Sequence, residues 1–330
     1  MSYNSGLELP KVAFSEITYS LIPLGSFFVG FDLDNAGILS KIDNTGTITV
    51  IEGGGPSLYD YGTGSCSTVR TDGTNTSTRC FSSVLSGSNN NATASYTTIS
   101  GGTCNTASSV YSTVGGGAFN TASGYYTTVA GGRYNTASCY SASIAGGTCN
   151  TASGCYSAIL GGTCNTASGY GASIAGGTCN TASGCYNASI AGGAFNTASG
   201  YGASIAGGAF NTASGYYTTV AGGRYNTASG RRSTVSGGYC NTASCYSASI
   251  AGGAFNTASG YYSAILGGRY NNTNLLHSAM ILGSCITANQ VCTTFVNNIS
   301  VTEMCTCSAL PAQYGLYYDT TTCQVYYKPL

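Results

Sequence analysis

The sequence predicts an all-β protein: a parallel β-solenoid (β-roll) of about sixteen 15-residue coils, trimeric, with small β modules flanking it. Three observations predict it. The phrase "NTASGYYTTVAGG" at residues 120–132 returns at 211–223. A mostly aliphatic marker recurs at one phase: Val69, Val84, Ile99, Val114, Val129, Ile144, Ile159, Ile174, Ile190, Ile205, Val220, Val235, Ile250, Ile265, Met280 and Phe295. Finally, 49 of 330 residues are Gly, and the repeats are filled with Ser, Thr and Asn, which disfavour helix. Disordered polar sequence does not hold an apolar residue in phase for so long, and collagen would need Gly at every third residue.

Three segments follow from where the period starts and stops. Residues 1–65 form an N-terminal attachment module, in which "GSFFVGFDLDNAGILSKIDNTGTITVIEGG" reads as β-hairpin; residues 66–295 form the array; residues 296–330 form a C-terminal cap or tip, with "GLYYDTTTCQVYY" as a terminal hairpin. Within one coil, "YYTTV" is a first strand, Gly-Gly a corner, "AFNTAS" a second strand and the following Gly a second corner. Fourteen of the fifteen marker intervals are 15 residues, and Ile174 to Ile190 is 16. The register resumes afterwards, so the additional residue is expected to bulge near Tyr186 to Ser189 without shifting the rungs.

Each column along the stack has an expected task. Val129, Ile144, Ile159, Ile174, Ile190, Ile205, Val220, Val235, Ile250 and Ile265 are the core stripe. Per rung the coil adds one Ala and one Phe, Tyr or Cys before the Asn, such as Phe195, Tyr225 or Cys240. That is little apolar area against an ordering cost of about 1–2 kcal/mol per residue. Side-by-side packing is therefore expected, most simply a homotrimer in which the aliphatic stripe meets its copies on an axis. Asn120, Asn135, Asn150, Asn165, Asn180, Asn196, Asn211, Asn226, Asn241 and Asn256 are expected to stack as a ladder, each side-chain amide bonding to the rungs above and below.

The chemistry-bearing residues argue mainly by exclusion. No Asp or Glu lies between Asp72 and Glu303, and His277 is the only His, so no acid–base pair, catalytic residue, cofactor site or metal site is expected in the array. Between Asp72 and Glu303 the only charges are Arg79, Arg133, Arg224, Arg231, Arg232 and Arg269, too sparse for a nucleic-acid footprint. Sixteen Cys include stacked Cys149, Cys164 and Cys179 at one phase, Cys155 and Cys185 at another, and Cys305, Cys307 and Cys323 beyond the array. Equivalent Cys on adjacent coils lie within disulfide range by Cα separation, although parallel side chains suit the bond poorly. The alternative is that Cys stands in for Phe or Tyr as a small buried apolar residue. The 27 Tyr either stack on one another between rungs or offer platforms for sugars. Thr106, Thr121, Thr136, Thr151 and Thr166, each with a Ser two residues later, make a Thr-x-Ser lattice of the kind an ice-binding surface uses.

The phrases "NTASG", "YSTV", "YSAIL" and "AGG" resemble the head repeats of trimeric adhesins of the YadA type over about residues 66–295. That resemblance implies a left-handed parallel β-roll packed as a trimer, serving as a rod at a surface. The chain departs from it in a repeat of 15 rather than near 14 residues and in nine Cys from Cys104 to Cys245. The start "MSYNSGLELPKVAFSE" lacks a secretory pattern, no stretch is long enough to span a membrane, and "LPAQYGLYYDTTTCQVYYKPL" is too short for an anchoring barrel. A bacterial autotransporter would carry both, whereas the flanks resemble those of viral and phage fibre proteins. The function expected is thus a rigid fibre or spike on a virion, extracellular or cell surface, with an anchoring protein and a host receptor or glycan as partners. A cellular adhesin binding matrix or glycans and an ice-binding solenoid are the alternatives.

Overall fold

The computed structural model describes residues 11–12, 27–32, 38–43, 48–50, 59–63, 66–70, 74–297, 315–319 and 324–328, and among them there is no helix. The chain divides into two compact units, Met1–Asp60 and Tyr61–Leu330. In the first, strands Phe27–Asp32 and Ile38–Asp43 pair antiparallel with Phe27 opposite Asp43. Ile48–Val50 extends this meander antiparallel, and Lys11–Val12 joins it in parallel. In the second, Gly315–Asp319 and Gln324–Lys328 form an antiparallel hairpin.

Between these hairpins in sequence runs a parallel β-solenoid. One coil contributes Thr121–Ala122 to a first sheet and Thr128–Val129 to a second. The next coil matches them in register, Ala122 opposite Ala137 and Val129 opposite Ile144. A third column of single bridges runs through the corner, as from Ala118 to Arg133. Backbone hydrogen bonds join each coil to the following one, as Thr121 N donates to the Asn135 carbonyl at 2.8 Å.

The strands are two residues long, shorter than "YYTTV" and "AFNTAS" suggest, because each phrase contains a left-handed residue. Phe119 and Tyr126 have φ of 57° and 58°. That conformation turns the peptide over, so their N–H groups donate backward to Thr103 and Val110. Phe, Tyr, Cys, Asn, Ser, Arg and Gly occupy these two phases from Asn89 to Tyr262, and no β-branched residue does, which is the steric preference of the left-handed region.

The inward residues alternate with outward ones, as period two requires. Ala107, Ala122, Ala137 and their successors face Val114, Val129, Ile144 and theirs across the coil, and all are at most 1 % exposed in the isolated chain. This corrects the expectation for the stripe: the aliphatic column fills the interior of its own coil and cannot meet other copies on an axis. Ten of its members, Val129 to Ile265, lie in one continuous core. Phe195 and Tyr225, expected in the core, are instead 49 % and 40 % exposed, because the left-handed residue points away from the coil.

The period is also less regular near its end. Ile281 is the buried member opposite Ile265, while Met280 points outward opposite Ala264. Ser278 takes the turn position of Tyr262 sixteen residues earlier, so the added residue lies in the turn holding the left-handed Asn274 and Leu275. At the other long interval Ser173 pairs with Ser189 and Ile174 with Ile190, so the rungs stay in register. Tyr186 bridges Tyr170 and Asn187 N donates to the Tyr170 carbonyl, which makes exposed Cys185 the additional residue, one position before the expected stretch.

A small buried residue precedes each strand of the Ile-bearing sheet. Where it is Thr or Ser, the hydroxyl usually donates to a carbonyl three residues back, as Thr127 Oγ1 does to Gly124 O at 2.7 Å. Ser157 Oγ and Ser233 Oγ are buried and bond to nothing described, while Ala142, Ala172, Ala188 and Ala203 fill the same phase elsewhere. Ser157→Ala and Ser233→Ala are therefore expected to leave the thermal midpoint unchanged or raise it, by up to about 1 kcal/mol each. A drop of similar size in calorimetry would contradict that.

The Gly-Gly corner holds two different glycines. Gly208 has φ of +82°, and an added Cβ would sit 2.0 Å from the Gly223 carbonyl of the next coil. Gly207 faces open space. Gly208→Ala is expected to cost roughly 1–3 kcal/mol or more through overpacking and strain. Gly207→Ala should be neutral or stabilising by up to about 1 kcal/mol. Chemical denaturation of the two variants checks the contrast.

Candidate functional site

The solenoid repeats its surface as it repeats its core, so its functional features are columns rather than a cleft. The Asn column is internal. Asn211 Nδ2 donates to Gly207 O of its own coil and to Gly223 O of the next, both at 3.0 Å, and Oδ1 accepts from Asn226 N at 3.0 Å. The same set recurs at every step from Asn90 to Asn256, including the 16-residue step from Asn180 to Asn196. The geometry differs from an amide-to-amide ladder. Each side chain bonds to backbone in its own coil and the following one, and the preceding coil is reached only by the Asn backbone N–H. Asn75, Asn90, Asn105 and Asn271 belong to the column too.

The two left-handed phases, and the residue just before one of them, put aromatic rings on two outer edges. One edge runs through Phe81, Tyr96, Tyr111 and Tyr126 with ring centroids 5.1, 4.9 and 4.8 Å apart and nearly parallel planes. It continues from Tyr125 through Tyr140, Tyr156, Tyr170, Tyr186 and Tyr201 to Tyr216. Arg231 bridges the next gap, its guanidinium 5.3 Å from the Tyr216 ring and 5.9 Å from that of Tyr246. The other edge carries Phe119–Tyr134 and Phe195–Phe210–Tyr225 stacks, with Arg133 over Tyr134 and Arg224 over Tyr225 at 4.8 Å each.

Rings stacked in this way cover one another's faces and leave edges and hydroxyls to solvent. Sugars stack on open faces, so these columns are poor platforms for them along most of their length. Crowding also acts on the phenols. The hydrogen bond with Tyr125, then partial desolvation and the neighbouring charge, raises Tyr126 above the usual tyrosine value. Desolvation first, then Tyr140 and Tyr170, raises Tyr156.

On the Ala-bearing sheet, Thr106 to Thr257 form an outward, half-buried column in register on successive coils. On cysteines the structure departs from the buried-apolar expectation: Cys149 and Cys164 are exposed and Cys179 is half-exposed, all with free thiols. Cys155 pairs with Cys139 rather than with Cys185, which is free. The signal for that bond was the 16-residue offset, which joins two different phases. Cys305, Cys307 and Cys323 lie outside the described residues. His277 Nδ1 stands 3.6 Å from Cys292 Sγ one coil on. Among the described residues no group of three His, Cys, Asp or Glu side chains could hold a metal ion, and no helix is long and apolar enough to cross a membrane. The Arg–aromatic stacking was missed by sequence reasoning, although the repeated "RY" dipeptide at 133–134, 224–225 and 269–270 announces it.

No family model matches the chain, and no curated protein matches it either.

Proposed function

We propose that this chain is the shaft of a trimeric fibre or spike displayed at a virion or cell surface, as its resemblance to YadA-type head repeats implies. The observation that supports the reading best is the uniformity of the coils: the same core, the same Asn bonds and the same corners recur for over ten rungs. A uniform stack makes a stiff spacer of roughly 75 Å for sixteen rungs at about 4.8 Å each. Specific contacts belong on irregular segments carried by such a scaffold. We therefore assign particle attachment and partner contact to the flanks, residues 1–65 and 296–330, with a surface-anchoring protein at one and a receptor or glycan at the other. With the aliphatic stripe internal, the copies of the trimer meet through the exposed aromatic edge that runs from Phe81 to Tyr216, where apolar surface remains unburied.

The test is native mass spectrometry and negative-stain electron microscopy of the full chain. Straight rods with a three-chain mass are expected. A one-chain mass at micromolar concentration, or particles without elongated shape, would overturn the proposal. A cellular adhesin shares this shaft and differs only in what carries it. The ice-binding reading keeps one observation in its favour, the register of Thr106 to Thr257 on one sheet. Thermal hysteresis in the purified protein would establish that reading, and the fibre reading expects none.

A further inference from the structure

Six cysteines fall in one band of the solenoid: Cys139, Cys149, Cys155, Cys164, Cys179 and Cys185. On one edge Cys139 and Cys155 are disulfide-bonded with Cα atoms 4.8 Å apart. On the other edge Cys149, Cys164 and Cys179 keep free thiols at accessible positions on three successive coils. They share the left-handed backbone, with φ of 56°, 55° and 53°, and the corner bridges Thr148–Thr163–Thr178 hold the coils in register beside them.

Those constraints decide what these thiols can bond to. Equivalent residues on successive coils point the same way, so their Cβ atoms are separated by the coil rise of about 4.8 Å. A disulfide needs Cβ atoms about 3.5–4.5 Å apart. Cys139 and Cys155 meet the requirement because they sit at different phases, sixteen residues apart instead of fifteen. The three edge thiols share one phase and do not. They also interrupt an aromatic column, with the Phe119–Tyr134 stack before them and the Phe195–Phe210 stack after them. No carboxylate between residues 73 and 302 repels an approaching neutral edge.

We propose that Cys149, Cys164 and Cys179 are a cross-linking site through which the chain is joined by disulfides to a second copy of itself, edge to edge. A second copy presents three thiols with the same rise, so all three levels can be matched at once. A three-fold axis would place three equivalent thiols at each level, and three cannot all pair, so the links run between rods. The proposal does not depend on the trimer: single-chain rods would link in twos, trimeric rods in multiples of three. The oxidant is a small-molecule disulfide such as oxidised glutathione. The Cys164 thiolate attacks one of its sulfurs and expels one glutathione thiolate, giving a mixed disulfide. A thiolate of the second chain then attacks the Cys164 sulfur and expels the other glutathione. Two protein thiols lose two electrons and two protons, and one glutathione disulfide becomes two thiols.

The experiment mixes full-length chains of natural and nitrogen-15 composition, oxidises them with oxidised glutathione, alkylates the remaining thiols and digests after aromatic residues. Cleavage at Tyr156 and Tyr170 isolates Cys164 in its own peptide. Covalent multimers are expected on non-reducing gels, with mixed-isotope peptides joined through the three edge cysteines. The C149S/C164S/C179S variant should lose at least about tenfold of the cross-linked product with its circular dichroism unchanged, and C185S should keep it. Cross-linking by the triple variant at the wild-type level would overturn the proposal. So would disulfides of one isotope only, meaning pairing within a chain, or glutathione adducts without multimers.

Discussion

Ile205→Asp unfolds the coil that carries it, whether the chain is alone or assembled. Ile205 is 1 % exposed in the isolated chain and sits between Ile190 and Val220 in a column with no polar member. The arginines that could pair with a new carboxylate lie outside, over aromatic rings. A buried, unpaired carboxylate costs several kcal/mol even after its pKa rises to keep it neutral. In a stack each coil is stabilised only by its neighbours, so the damage opens the rod at that level. Ile174→Asp should behave alike. Limited proteolysis checks this directly: new cuts are expected around residues 190–220, with a lower thermal midpoint by circular dichroism. A variant that loses only its oligomers and remains a folded single chain would mean that the stripe faces an inter-chain axis after all.

Asn211→Ala is expected to cost about 3 kcal/mol, more than a typical polar deletion, because it orphans buried backbone groups. The Asn226 N–H donates only to Asn211 Oδ1, and its loss leaves that donor buried without a partner. The Gly207 carbonyl loses the Nδ2 donor as well. Gly223 O is less affected, since Ala209 N also donates to it at 3.0 Å. Asn211→Asp should be no better: its carboxylate still accepts from Asn226 N but sets negative charge against two carbonyl oxygens. Denaturant midpoints of both variants check the ranking. An Asn211→Ala protein as stable as wild type would mean that the column is an ordinary run of turn residues.

Much of this architecture is legible in the sequence because a one-dimensional stack converts period directly into contact. The recurrence of Ile144, Ile159 and Ile174 places each opposite the next, and the pairings are one period apart. What a period cannot give is direction. The residue before Asn is apolar as often as the residue in the core, and only its backbone sends Phe195 outward and Ile190 inward. Apolar phase alone also misplaced Met280, where "MIL" offers three candidates. The shared "IL" of Ile265–Leu266 and Ile281–Leu282 was the better guide. The Asn positions are plain in the sequence, but their partners are backbone groups that no residue type announces. Of the candidate cysteines, Cys149, Cys164 and Cys179 were found by phase, whereas the Cys139–Cys155 bond joins two phases and so escapes a search by phase.

The central claim is that each chain forms its own complete coil, with the aliphatic and Asn columns inside it. Amide hydrogen exchange read by mass spectrometry, on protein diluted until it is a single chain and on concentrated protein, tests this most directly. The amides of Asn196, Ile205, Asn211 and Val220 should be protected to the same degree in both samples, since their bonds or burial are intrachain. Protection present only in the concentrated sample would contradict the account and place those columns between chains.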